Sequence, residues 1–182
     1  GTVGSTPATQ GQGKYLIDAG YNQDLFQGCT VKSKAGYIVE ASSTRTFLSI
    51  GVLNGIFYND ATTKKPTFAN FYNQPITPAN SEDITAFVID NPNQLFVASI
   101  DAAAAQAEYG KTYGLTVTAA GSELSGQSSS ELTYATRHAT NNQWRLVRTA
   151  EDPENNDIAA ANCSVVVAHN LNQYFTGAVS WA

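Results

Sequence analysis

Apolar and polar positions alternate most clearly between Ile50 and Tyr72. Ile50, Val52, Ile56 and Tyr58 share one parity of the first half, and Leu53 and Phe57 share the other. In the second half Phe68 and Tyr72 alternate with Phe71. Period two in β-branched and aromatic residues predicts strands, and Asn59-Asp-Ala-Thr-Thr-Lys-Lys65 between them predicts a turn. The stretch therefore reads as a hairpin with a longer loop. Apolar residues on both parities imply that both faces of the first strand are covered. Gly51 and Gly55 mark bulges or close backbone approaches.

The rest of the chain repeats this grammar in shorter units. Strands are predicted at Lys14–Ile17, at Cys29–Lys32 and at Tyr37–Val39, the last two joined by a tight turn at Lys34-Ala-Gly36. Pro75 and Pro78 exclude a regular central strand around them. Ile84–Ile89 and Gln94–Ile100 flank the turn residues Asp90-Asn-Pro-Asn93 and read as a second hairpin. Asp101-Ala-Ala-Ala-Ala-Gln-Ala-Glu-Tyr-Gly110 changes character. Asp101 suits an N-cap, the alanines favour helix, and Gly110 suits the position beyond its end. A helix of about two turns is expected over 101–109. Strands follow at Tyr113–Thr118, Glu131–Thr136, Trp144–Thr149 and Asn162–His169, with a Gly/Ser loop from Ala119 to Ser130. Short strands between Gly-containing turns argue for an all-β chain, an antiparallel barrel or sandwich with one short helix.

Domain organisation follows from the same pattern. Residues 1–13 carry one large apolar side chain, Val3, and cannot bury enough surface to fold alone. They are expected to form an extended N-terminal arm, with 14–182 a single β-rich domain. The tail beyond Asn170 carries Tyr174, Phe175 and Trp181, too many aromatics for a solvated end, so docking on the domain or on a neighbour is expected.

Composition narrows the function classes. Charged residues make up 14% of the 182, against about 25% in an ordinary globular chain. The net charge of −5 argues against a nucleic-acid partner. No apolar run approaches the ~20 residues of a membrane-spanning helix. The chain has no Met, so a start upstream of Gly1 is expected. Cys29 and Cys163 allow a disulfide closing most of the chain or two buried free thiols, and the lack of any cysteine framework favours the thiols.

Catalytic and metal-binding patterns are sparse. His138 and His169 lie in no zinc-protease spacing, and a Cys-His site would have to gather from distant strands. Glu151, Asp152, Glu154 and Asp157 form an acidic turn without the glycine that an EF-hand loop needs. Gly126-Gln-Ser-Ser-Ser130 offers hydroxyls but no local base. Asn162-Cys-Ser164 matches a glycosylation sequon within a Val-rich stretch, where an accidental match is expected. No enzyme activity, cofactor or metal is expected. Exposed aromatics among many Asn and Gln leave a carbohydrate-binding β-module of a phage fibre or secreted protein as the alternative class.

Several segments together resemble the capsid decoration, or cement, proteins of tailed bacteriophages. They are Gly1-Thr-Val-Gly4 leading to Lys14-Tyr-Leu-Ile17, the whole of Gly51–Tyr72, Ala86–Phe96, Gly126-Gln-Ser128, and the last strand ending Ala168-His-Asn170. The resemblance spans nearly the whole chain and lies in structural segments. It implies an all-β structural virion protein on the outer capsid surface, commonly a homotrimer, made in the host bacterial cytoplasm. Its partner would be the major capsid protein, with neither nucleic acid nor membrane involved. Candidate capsid or subunit contacts are Thr2, Val3 and Pro7 in the arm, Tyr58, Phe68, Phe71 and Tyr72 in the hairpin, and Tyr174, Phe175 and Trp181 in the tail.

Overall fold

A computed structural model describes residues 11–41, 48–116 and 121–174. The chain is all-β. Its strands are β1 (Gly13–Ile17), β2 (Thr30–Lys34), β3 (Tyr37–Glu40), β4 (Gly51–Asn59), β5 (Pro66–Ala69), β6 (Ile84–Ile89), β7 (Leu95–Ser99), β8 (Thr112–Leu115), β9 (Gly121–Ser122), β10 (Gln127–Ser128), β11 (Leu132–His138), β12 (Trp144–Thr149) and β13 (Ser164–His169). They form two larger antiparallel sheets, in the orders β1-β6-β4-β2-β3 and β11-β8-β12-β13-β7, with β5 added to β4. β9 and β10 form a separate two-stranded ribbon.

Each large sheet has its own core. Ile17, Val31, Ile38, Leu53, Ile56, Ile84, Ala86 and Val88 line the inside of the first sheet, and Leu25 and Tyr72 close over them. Leu115, Leu132, Leu146, Val165 and Val167 line the second, with Trp144 and Tyr113. Val52 sits on the first sheet but packs into the second core, so β4 joins the two. The first sheet curls until its end strands β1 and β3 touch, yet among the described residues no hydrogen-bonded ladder closes it. The arrangement is a sandwich-like pair of curled sheets and not a closed barrel.

The central hairpin forms as expected. Ile56 pairs with Ala69 and Asn59 with Pro66. The Asp60 carboxylate nucleates the loop by accepting from Thr62 N (2.9 Å) and Thr63 N (2.7 Å). Its facing differs from simple alternation. The β4–β6 register slips between Leu53 and Gly55, so Leu53 and Ile56 face the first core together while Val52 and Phe57 face away. One extra residue, Asn54, reverses parity for everything after it. A Cβ on Gly51 would collide with the Ile89 carbonyl oxygen, which explains glycine there.

Two other expectations are corrected. Ile84–Ile89 and Gln94–Ile100 are strands, but not a hairpin. β6 uses both edges on β1 and β4, which leaves none for β7. The turn is as read, with Gln94 N donating to Asn91 O, but it carries the chain from one sheet to the other, where β7 pairs with β13. The stretch 101–109 makes no two-turn helix, only a single 3-10 turn at Gln106–Glu108. Asp101 bonds Tyr134 N (2.8 Å) with its carboxylate instead of capping a helix, and Ala104 N donates to Ile158 O. Tertiary hydrogen bonds hold the alanines extended against their propensity.

Candidate functional site

The outer face of the first sheet carries an exposed aromatic cluster. Strand register puts Leu16, Thr85, Phe57 and Phe68 in one row across β1, β6, β4 and β5, and Lys14 beside Phe87 in the next. Inward residues of the same strands fill the first core, so this face is turned outward. The ring centroids of Phe57 and Phe68 lie 4.8 Å apart, and those of Phe68 and Phe87 6.1 Å apart with the planes nearly parallel. Phe68 remains 72% exposed and Leu16 42%. A shallow depression of about 280 Å³ adjoins the rings, lined by Gln12, Asn54, Gly55, Phe68 and Phe87 among others. Exposed rings held rigidly on strands make an anchor for a partner surface, because their desolvation favours contact and little side-chain entropy is lost.

The sequence-derived candidates divide sharply. Phe68 is at the centre of this patch. Tyr58 packs against the first core instead. Tyr72 is fully buried there and donates its hydroxyl to Tyr21 O (2.6 Å), so it is a core residue and not a contact. The bridge between Leu25 and Tyr72 pulls it inward. Phe71 stacks on Phe26 at 5.5 Å beneath the β9–β10 ribbon. Gly121 of that ribbon lies so close to the Phe26 ring that no side chain fits. Tyr174 is half-exposed, and its hydroxyl meets that of Tyr15, which in turn donates to Asp90 (2.7 Å). Part of the tail therefore docks on the first sheet, where Gln173 N also donates to Ser49 O. Thr2, Val3, Pro7, Phe175 and Trp181 lie outside the described residues, as does the arm over residues 1–10. Sequence reading missed Phe57, Phe87 and Leu16 as surface groups. The signal was there in part: a loop of fixed length puts Phe57 opposite Phe68, whereas the addition of β6 and β1 is long-range.

Titratable groups form no reactive constellation among the described residues, and no cluster of three or more His, Cys, Asp or Glu is placed to hold a metal ion. Glu108, buried beside the second core, accepts from Lys111 Nζ (3.1 Å) and the Tyr113 hydroxyl (3.1 Å), with Arg137 at 3.8 Å. Burial pushes its pKa up, but those partners together hold it below the ordinary carboxylate value. It is a paired structural carboxylate. Cys29 and Cys163 are free, buried thiols in separate cores, and burial raises both pKa values. His169 packs on Trp144 at 4.2 Å and bonds Asn172 through Nδ1, and burial lowers its pKa to about 4.

A second concavity of about 230 Å³ lies where the sheets meet. Phe96, Val97 and Ala98 of β7, Ser128, Ser130 and Leu132 on the opposite wall, Gly28, Thr30 and Val52 from the first sheet, and Trp144 line it. Comparison of the chain with protein-family models, curated proteins and solved structures finds no match.

Proposed function

We propose that this chain is a structural virion protein that decorates the outer surface of a tailed-phage capsid, bound to the major capsid protein as a homotrimer. The resemblance of Gly51–Tyr72 and Ala86–Phe96 to such proteins motivates the reading. The observation that carries it is the exposed Phe57–Phe68–Phe87 cluster with Leu16 on a rigid sheet face. A cement protein needs a preformed adhesive face, and repetition of one modest contact in a trimer multiplies into lasting attachment. Truncating one of the few aromatic anchors that dominate an interface costs about 2 kcal/mol or more.

The direct test is co-sedimentation of Phe68→Ser protein with capsids that lack the decoration. Unchanged folding with occupancy reduced at least tenfold is expected, and full occupancy would overturn the assignment of this face. The second reading is a carbohydrate-binding module, favoured by the polar residues Gln12 and Asn54 lining the same depression as Phe68 and Phe87. A glycan array separates the two: strong binding that Phe68→Ser abolishes, without capsid binding, selects the module.

A further inference from the structure

We propose that the concavity between the sheets receives an extended peptide strand of a partner protein, which pairs with the free edge of β7 and inserts one large apolar side chain. Backbone geometry is the first ground. Ile100 N–H donates to Cys163 O on the β13 side (3.2 Å), whereas Asp101 N–H donates the other way, to Leu132 O (3.0 Å). Antiparallel alternation then turns the N–H and C=O groups of Val97 and Ser99 away from β13, toward the open side. β7 ends its sheet, so among the described residues no strand meets them there. Val97 is 68% exposed. Among the described residues the end of β7 meets the opposite wall at the Ile100–Leu132 bridge and through the Ser99 hydroxyl and Glu131, and toward Val97 the concavity separates β7 from Ser128 and Ser130.

The cavity itself is the second ground. About 230 Å³ is less than the roughly 300–1,000 Å³ of ordinary small-molecule pockets and suits a single side chain. Its floor is apolar, with Val52, Leu115, Leu132 and Val167. Trp144 lines it at 2% exposure, and its shielded indole N–H has no acceptor among the described residues. Charge is the third ground. Glu131 lies at the Ser99 end, within 3.4 Å of the Ser99 hydroxyl, and no cation pairs with it among the described residues. The strand is thus apolar where it enters and basic where it passes Glu131. Strand addition of this kind draws affinity from the main chain and specificity from the alternate side chains.

The test titrates isotope-labelled full chain with the peptide Thr-Val-Thr-Phe-Thr-Lys, followed by amide and indole resonances. Saturable shifts at Val97, Ser99 and the Trp144 indole, with a millimolar or tighter Kd, are expected. Val97→Pro removes an edge donor outside the β13 ladder and should weaken binding at least tenfold. Ala98→Leu fills the cavity and should do the same. Exchanging the peptide's phenylalanine for serine should also cost tenfold, a result independent of how either protein variant folds. Absence of shifts up to 10 mM, or shifts confined to the Phe57–Phe68–Phe87 face, would overturn the proposal. So would an equal response to N-acetyl-phenylalanine amide, which marks a small-molecule pocket. The same shifts produced by raising protein concentration alone would mark a second copy as the occupant and overturn it as well.

Discussion

Gly51 has a covalent neighbour's freedom but a packed residue's constraint. Its missing Cβ leaves room for the Ile89 carbonyl, which belongs to the ladder between β4 and β6. Gly51→Ala is expected to lower stability by about 2–3 kcal/mol, since the obstructing atom is backbone and cannot swing aside. Urea unfolding checks it. His169 makes a pH prediction. Burial depresses its folded pKa from 6.5 to about 4, so the unfolded chain binds the proton more readily in between. Stability from the neutral ring is complete above about pH 6.5 and is lost as pH falls toward 4, by at most about 3 kcal/mol. Glu40 acts in the opposite sense, because burial raises its pKa and its contribution declines as pH rises. The difference between parent and His169→Gln unfolding curves across that window isolates the ring.

At the scale of elements, local signals succeeded where a turn closes a short loop. Ala35 and Gly36 both have positive φ and join β2 to β3 with Lys34 opposite Tyr37, as the Lys-Ala-Gly run predicts. They failed where a distant group competes. In 101–109, Asp101 spends its carboxylate on Tyr134 N and so ties β11 to the end of β7. Asp101→Ala should therefore destabilise by about 1–2 kcal/mol through a lost buried-side hydrogen bond. A helix-capping role would instead show as a loss of helical ellipticity, and none is expected. The β6–β7 connection teaches the same lesson: turn chemistry at Asn91–Asn93 says that the chain bends, not which sheet the next strand joins.

At the scale of the whole molecule, two cores lie on one chain and share β4. Cys29 marks the first and Cys163 the second, and neither has a partner sulfur. Two thiols are expected to titrate in denaturant without reductant, and neither should react quickly in the native protein, because a buried thiol with a raised pKa supplies little thiolate. Val52 connects the cores, so the two thiols should become reactive together as denaturant rises. Separate transitions would mean that the sheets unfold independently.

The class of fold, most strand positions, the Asp60 loop and the expectation of unpaired cysteines were legible in the amino-acid order alone. These depend on side-chain period, turn residues and counting, all of which are local. The same order also picked out Phe68 as a contact candidate. It took the packed fold to show that Tyr72 belongs to the core, that Asn54 reverses the facing of β4, and that Phe57 and Phe87 join Phe68 on the outside. The fold alone decided that β7 leaves its neighbour β6 and, among the described residues, presents an open edge beside a cavity. Each of those outcomes depends on which strand edge meets which, and such pairings join residues far apart in sequence, where neither period nor propensity carries information.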